Sequence, residues 1–122
     1  MSNSVRTLED KDFELQNINP KLIGDKSLAI LFIKADWCGY CTRYIPTFEQ
    51  YSTQMKDVAF FILESTENEK KLEQWQNLQS PAFPIEGFPT LVFYGPNGSP
   101  LRRVEDRFNL DKEAIEVLTT LK

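Results

Sequence analysis

The chain has 122 residues, a formal net charge of −4 from 18 acidic and 14 basic side chains, and no histidine. This length suits one globular domain over residues 1–122, and the mixed charges provide no basic stripe for nucleic acid. Without histidine, a Cys-His protease dyad and an imidazole metal site are both excluded.

Neither end of the chain carries a targeting signal. Residues 1–12 contain neither the basic start nor the apolar stretch of a signal peptide, and the final TTLK matches no retention or lipidation motif. The longest apolar run, residues 28–33, is too short to span a bilayer. We therefore expect a cytoplasmic protein that has no membrane partner and is a monomer.

The first half of the chain predicts strands separated by helices. Residues 4–9 are a weak candidate for a strand, and residues 10–23 are a weak candidate for a helix. Residues 27–35 (SLAILFIKA) contain six consecutive apolar residues, which is typical of a strand buried on both faces of a largely parallel sheet. Residues 58–63 (VAFFIL) have the same character. The side chains that recur at helical spacing between these two strands are Tyr44, Phe48, Tyr51 and Met55.

The second half predicts a polar helix over Glu67–Leu78, followed by a loop with prolines at 81, 84 and 89. Residues 90–94 and 99–105 flank GPNG, a turn signal that indicates an antiparallel hairpin at the sheet edge.

A final helix should begin at Asn109 as its cap, with a buried stripe of Ile115, Leu118 and Leu121. The complete order is β-α-β-α-β-α-β-β-α, an α/β fold. The two cysteines fall between a buried strand and the next helix, at the sheet end where sites normally form.

Cys38 and Cys41 occur in the segment ADWCGYC and are the only cysteines of the chain. A structural zinc site needs four ligands, so this pair could contribute only to an intermolecular site. As a structural disulfide, so short a loop would stabilise the fold by about 2 kcal/mol, against nearly 5 for a hundred-residue loop. Reducing systems of the cytosol would also tend to open it.

A redox function fits the surroundings of the pair better. Cys38 should lie at or just before the N-terminus of the helix that carries Cys41, where unpaired amides and the helix dipole favour a thiolate. Lowering a thiol pKa from about 8.5 to about 7 corresponds to roughly 2 kcal/mol of preference for the thiolate. Cys38 would then attack a substrate disulfide, and the more buried Cys41 would resolve the mixed disulfide.

The combination of ADWCGYC after an apolar strand, Pro46 in the following helix and the later GFPTLVFY resembles the thioredoxin superfamily over nearly the whole chain. The details are most similar to thioredoxins and to the catalytic domains of protein disulfide isomerases. The resemblance implies a thioredoxin fold, with a central mixed β-sheet flanked by helices on both faces.

The resemblance also implies roles for individual residues. Pro89 would follow a cis peptide bond, pack against the cysteine pair and leave neighbouring backbone groups free to pair with a substrate peptide. Gly39 and Tyr40 would tune the redox potential, and Pro46 would kink the helix. The residues implied to bind substrate are Trp37, as the aromatic shoulder of the site, Phe88, Pro89 and Thr90.

Three features depart from the family pattern. Phe32 replaces the buried acid that usually accepts the second cysteine's proton, and Lys34 shares its strand face, so we expect the Lys34 charge to favour the thiolate. Tyr40 replaces the usual histidine or proline. In RVEDRF only Arg107 matches the isomerases; it could modulate Cys41, but a solvated surface arginine is the simpler interpretation.

The sequence therefore predicts a thiol–disulfide oxidoreductase that cycles between a dithiol and the Cys38–Cys41 disulfide and acts on protein disulfides. It needs no metal or organic cofactor, and a disulfide reductase or a small dithiol would recycle it. Reduction is the natural direction in a cytosol-like setting. The alternative is a module that keeps the fold and the peptide groove but turns over poorly, because the proton-accepting acid is missing.

Overall fold

The computed structural model describes residues 4–65 and 87–121. The strands of the main sheet are β1 (Val5–Leu8), β4 (Leu28–Lys34), β5 (Val58–Glu64), β6 (Thr90–Tyr94) and β7 (Pro100–Arg103). They are arranged in the order β1-β5-β4-β6-β7. β1 and β4 pair parallel to β5, whereas β6 runs antiparallel to β4 and to β7. This is the mixed sheet that the family resemblance implies.

The central strand β4 is buried on both faces. Its six apolar residues have no exposed surface. Alternate side chains enter two core clusters, with Leu31 and Ile33 on one face and Ile30 and Phe32 on the other. The second of these clusters also contains both cysteines.

The described helices lie on both faces of the sheet. They are α1 (Pro20–Ile23), α2 (Gly39–Gln54) and α3 (Leu110–Thr120). α1 packs Ile23 into the first cluster, whereas α2 and α3 cover the second. α2 connects β4 to the parallel β5, and it buries Tyr44 and Phe48 while Pro46 lies inside the helix. The strand–helix–strand unit is therefore confirmed.

The predicted helix over residues 10–23 is wrong for most of its length. The segment forms a 3-10 turn and a small antiparallel pair, β2 (Phe13–Glu14) and β3 (Asn17–Ile18), before α1 begins. Leu15 adopts a φ of 55°, which interrupts a helix, and Pro20 suits only a first helical turn. The hairpin buries Phe13 and Ile18, which a continuous helix would have placed on different faces.

The predicted hairpin at the sheet edge is confirmed. β6 and β7 are joined by a turn in which the Gly98 N–H donates to the Gly95 carbonyl at 3.0 Å. Gly98 has a φ of 91°, and a Cβ there would lie 2.0 Å from the Ile18 carbonyl oxygen. Glycine is therefore required at this turn.

α3 turns a different face inward from the one predicted. Its buried residues are Leu110, Glu113, Ala114 and Val117. The predicted stripe is wrong, since Ile115 is 66% exposed and Leu121 is 49% exposed, and only Leu118 packs against the core. The inward row contains Glu113, whose carboxylate accepts hydrogen bonds from the connection between β7 and α3. These part-buried hydrogen bonds hold the Glu113 side of the helix inward.

The predicted helix over Glu67–Leu78 and the prolines at 81 and 84 lie outside the described residues. Asn109 is the N-cap of α3, as predicted, although its side chain donates to Asp106 instead of capping the helix. Within residues 4–65 and 87–121, none of the helices has the length and apolar character needed to cross a membrane.

Candidate active site

Cys38 and Cys41 form a disulfide at the start of α2, with their Cα atoms 5.3 Å apart. Cys38 is the N-cap residue of the helix, and its Sγ accepts a hydrogen bond from the Cys41 backbone N–H at 3.1 Å. A helix start offers unpaired N–H groups and the positive end of the dipole. The Cys38 sulfur therefore lies where a thiolate is stabilised.

Both cysteines are covered in the disulfide form. Cys38 is 4% exposed and Cys41 is fully buried. Cys38 is therefore the sulfur nearer to solvent, and its role as nucleophile and that of Cys41 as resolving thiol remain predictions. Among the residues that the structure describes, no three acidic or cysteine side chains cluster as a metal site would require.

Aromatic side chains form the floor beneath the disulfide. Phe32 lies edge-on to Tyr44 and Phe48, with ring centroids 5.3 and 5.2 Å apart. On β5 its register partner is Ile62, which also packs against the cluster that contains the cysteines. The position at which the resemblance implies a buried acid is thus filled by close apolar packing.

Lys34 forms an ion pair on the same face of the sheet. Its Nζ lies 2.6 Å from Glu64 Oε2, and the two side chains are 18% and 17% exposed. Glu64 was not among the site residues predicted from the sequence. Aligning the two predicted parallel strands end to end would have suggested it, because Lys34 and Glu64 are register partners. The predicted influence of Lys34 on Cys38 remains a prediction, and it now has to include the carboxylate.

The rim of the site is aromatic and exposed. Trp37 is 74% exposed and lies edge-on to Phe88, with the ring centroids 5.8 Å apart. Tyr40 is 65% exposed, and the guanidinium of Arg43 lies 4.9 Å from its ring centroid. Gly39 is also exposed, and within the described part of the chain no atom lies within 4 Å of a Cβ placed there.

A groove runs beside the start of α2. The Phe88–Pro89 peptide bond is cis, and both residues line this groove together with Tyr40. Thr90 is buried and donates its hydroxyl to the Gly87 carbonyl at 2.5 Å. The structure therefore brings the residues implied to bind substrate to one edge of the cysteine pair.

Two arginines line the same groove, Arg103 and Arg107. The sequence interpretation of Arg107 as a solvated surface arginine is corrected, because its Nε is buried and has no hydrogen-bond partner in residues 4–65 and 87–121. Its guanidinium lies 5.8 Å from the ring centroid of Tyr44 and 5.0 Å from that of Phe108. Arg103 was not considered as a site residue; its place beside GFPT on the edge hairpin was the available signal.

Side chains from α2 and α3 hold the connection between β7 and α3 in place. Tyr44 donates its hydroxyl to the Arg107 carbonyl, and Tyr51 donates to the Phe108 carbonyl at 2.6 Å. Burial raises the pKa of Tyr44 well above its usual range, so this donor stays protonated. Glu113 accepts the N–H groups of residues 105 and 106 at 2.9 and 2.5 Å. Arg107 is thus carried on an anchored backbone.

The family model described as Thioredoxin matches residues 4–117. Bloodstream-specific protein 2 of Trypanosoma brucei brucei is 34% identical over 97 residues, which is 77% of this chain and 18% of that protein. Protein disulfide-isomerase like 2-2 of Arabidopsis thaliana is 22% identical over 107 residues, 86% of this chain and 22% of that protein. The chain thus spans about a fifth of the length of these curated relatives.

Solved structures of thioredoxins have the same fold. The short form of spinach chloroplast thioredoxin f has a TM-score of 0.70 at 20% identity, and covers 97% of this chain and 96% of its own. A poplar thioredoxin h has a TM-score of 0.72 at 17% identity, with coverage of 94% and 96%. At these identities the likeness establishes the fold alone.

Proposed function

The chain belongs to the thioredoxin family, and from this premise we propose that its thiol–disulfide oxidoreductase site reduces disulfides of protein substrates. One observation carries the proposal: Cys38 caps α2, receives the Cys41 N–H and is joined to Cys41 as a disulfide. A pair that closes at a helix start can both stabilise a thiolate and resolve the bond it forms.

The reaction exchanges one disulfide for another. The Cys38 thiolate attacks one sulfur of the substrate disulfide, the substrate S–S bond breaks, and the departing thiolate takes a proton from the medium. Cys41, as a thiolate, then attacks Cys38 Sγ, which closes the disulfide seen here and releases the second substrate thiolate. Two electrons pass to the substrate, and a dithiol or a reductase must return two electrons to the pair.

The groove supports a polypeptide as the substrate. It begins at Tyr40, beside the cysteine pair, and passes along Pro89 and Thr90. An extended peptide can pair with exposed backbone along such a groove, and its alternate side chains then enter the groove. The exposed ring of Trp37, which lies edge-on to the groove residue Phe88, adds an apolar surface next to the groove.

We propose reduction as the direction and the cytoplasm as the location. Several relatives are named as protein disulfide isomerases, and one similar structure holds thioredoxin f2 in complex with ferredoxin:thioredoxin reductase. By analogy, a reductase or a small dithiol recycles this pair. The chain acts as a monomer in this proposal.

The test is reduction of a protein disulfide by the full chain with dithiothreitol as the electron source. Wild type should accelerate the reaction, and Cys38→Ser should abolish the acceleration. Cys41→Ser should form a mixed disulfide between Cys38 and the substrate, which mass spectrometry identifies. If the Cys38→Ser variant forms a mixed disulfide on Cys41 and the Cys41→Ser variant forms none on Cys38, the two roles are reversed.

A second candidate is a peptide-binding module with little turnover. It is favoured by the apolar floor, where Phe32 replaces the proton-accepting acid. If wild type binds a cysteine-free peptide but does not accelerate disulfide reduction in either redox form, this module replaces the enzyme.

A further inference from the structure

We propose that Arg107, assisted by Arg103, forms a carboxylate-binding subsite that selects protein disulfides with an acidic residue beside the reacting cysteine. The inference rests on the proposed function and names a class of substrate within it.

The subsite lies in the groove that the substrate would occupy. Arg103 and Arg107 line it together with Pro89 and Thr90, so the two cations border the residues nearest to a bound peptide. Glu105 is the one carboxylate among the lining residues that the structure describes. Among the described lining residues, two cations therefore accompany one carboxylate, on a chain whose net charge is −4.

Arg107 is held ready for a ligand. Tyr44, on α2, holds Arg107 in two ways. Its hydroxyl donates a hydrogen bond to the Arg107 carbonyl, and its ring centroid lies 5.8 Å from the guanidinium. The ring of Phe108 lies 5.0 Å away on the same cation. A guanidinium positioned by two aromatic rings loses little conformational entropy when it binds a partner.

Arg107 also has unused hydrogen-bonding capacity. Its Nε is shielded from solvent and has no acceptor within residues 4–65 and 87–121. Nε is therefore not engaged by another acceptor of these residues. The planar guanidinium matches a carboxylate with two parallel hydrogen bonds, and Asp and Glu are the residues of a peptide substrate that present one.

A further cation, Arg43, lies beside Tyr40 and also favours an acidic substrate. Arg43 lies 4.9 Å from the Tyr40 ring centroid, at the end of the groove where α2 begins. A segment that enters over Tyr40 and leaves past Arg107 would meet a cation at each end. The cysteine of that segment would lie between them, so the acidic residue should be close to it in sequence.

The experiment compares two disulfide-bonded peptides that differ only in Glu or Gln beside the cysteine. The pre-reduced full chain is mixed with each peptide, and the rate of peptide reduction gives a Glu/Gln ratio. We expect a ratio of roughly five for wild type, falling towards one in about 0.5 M salt.

Variants then assign the preference to the subsite. Arg107→Gln should bring the ratio close to one, Arg103→Gln should lower it less, and Arg107→Lys should give an intermediate value. Arg6→Gln is the matched control, because Arg6 lies on β1 at the opposite edge of the sheet and should leave the ratio unchanged. A wild-type ratio of one, or a ratio that survives Arg107→Gln, overturns the subsite while both peptides are still reduced.

A binding measurement separates this proposal from the proposed function. Cysteine-to-serine versions of the two peptides are titrated into the oxidised chain. One outcome is that neither disulfide peptide is reduced, while the Glu version binds more tightly than the Gln version and loses this advantage in Arg107→Gln. The proposed function then fails and the subsite stands. Equal binding together with absent reduction overturns both.

Discussion

Lys34 Nζ lies 2.6 Å from Glu64 Oε2, across the β4–β5 pair and on the sheet face that carries the two cysteines. The next pair inward on this face is Phe32 with Ile62, which is apolar. The acid implied by the resemblance would occupy position 32. The charged groups of this face lie instead at the next pair along the strands, Lys34 and Glu64. The predicted effect of the Lys34 charge on Cys38 therefore has to include the Glu64 carboxylate.

Lys34→Met and Glu64→Gln should shift the reactivity of Cys38 in opposite directions. Removing the cation should raise the pH midpoint for alkylation of Cys38 in the reduced chain, and removing the carboxylate charge should lower it, each by about half a pH unit or less. The double variant should lie closer to wild type than either single variant. Lys21→Met, on the opposite face of the sheet, is the control.

Rates of iodoacetamide reaction measured against pH provide these midpoints. If Lys34→Met leaves the midpoint of Cys38 unchanged, or shifts it in the same direction as Glu64→Gln, the proposed role of Lys34 is wrong.

The sequence predicted the elements whose patterns are strongest. The apolar run of β4, the helical spacing from Tyr44 to Phe48 and the GPNG turn each satisfy one local rule, and each is confirmed. The N-terminal hairpin was missed because its strands contain only two residues each, and its stability comes from burying Phe13 and Ile18 in the shared core.

The candidate site was predictable to a similar extent. The cysteine motif and the GFPT segment lie in contiguous sequence, so pattern and resemblance brought them together. Arg107 was singled out by resemblance, but its packing against Tyr44 and Phe108 depends on contacts between separate elements. Glu64 could be found only by aligning the two predicted parallel strands. The rotation of α3 was missed for the same reason, since it depends on Glu113 satisfying amides from another element.

Val117→Ala should destabilise the fold much more than Ile115→Ala. Val117 is 4% exposed and belongs to the cluster around the cysteines, so its truncation should cost about 2 kcal/mol. Ile115 is 66% exposed on the same helix, and alanine is a better helix former there, so the change should stay within about 0.5 kcal/mol. Urea unfolding of both variants measures the difference, and equal losses would contradict the observed helix face.

Glu113→Gln should lower the free energy of unfolding by about 2 kcal/mol, since a buried carboxylate that binds two backbone amides and Arg102 loses charge-assisted hydrogen bonds. Glu116→Gln is the matched control. Glu116 also lies 3.3 Å from Arg102, but it is 53% exposed, so its loss should be within about 0.5 kcal/mol. Because Glu113 anchors the segment before Arg107, its variant should also reduce the Glu/Gln ratio for peptide substrates; an unchanged ratio would show that this anchoring is dispensable.

Two buried tyrosines should respond differently to removal of the hydroxyl. Tyr44→Phe removes the donor to the Arg107 carbonyl and should cost about 1 kcal/mol at neutral pH. The Tyr94 hydroxyl is buried without a hydrogen-bond partner among the described residues, so Tyr94→Phe should be neutral or stabilise the fold by about 1 kcal/mol. Tyr40→Phe, at a ring that is 65% exposed, is the control.

The same variants predict a dependence on alkaline pH. Burial raises the pKa of Tyr44 and of Tyr94 above the ordinary value, so the folded state favours the neutral phenols. Below about pH 10 the phenols are neutral in the folded and in the unfolded chain, so ionisation costs the fold nothing. As the pH rises further, the unfolded chain ionises first and the free energy of unfolding falls. Urea unfolding at about pH 8 and about pH 11 should therefore show a steep loss for wild type and for Tyr40→Phe, and a smaller loss for each buried variant. Equal losses in all four proteins would mean that neither buried phenol is linked to unfolding.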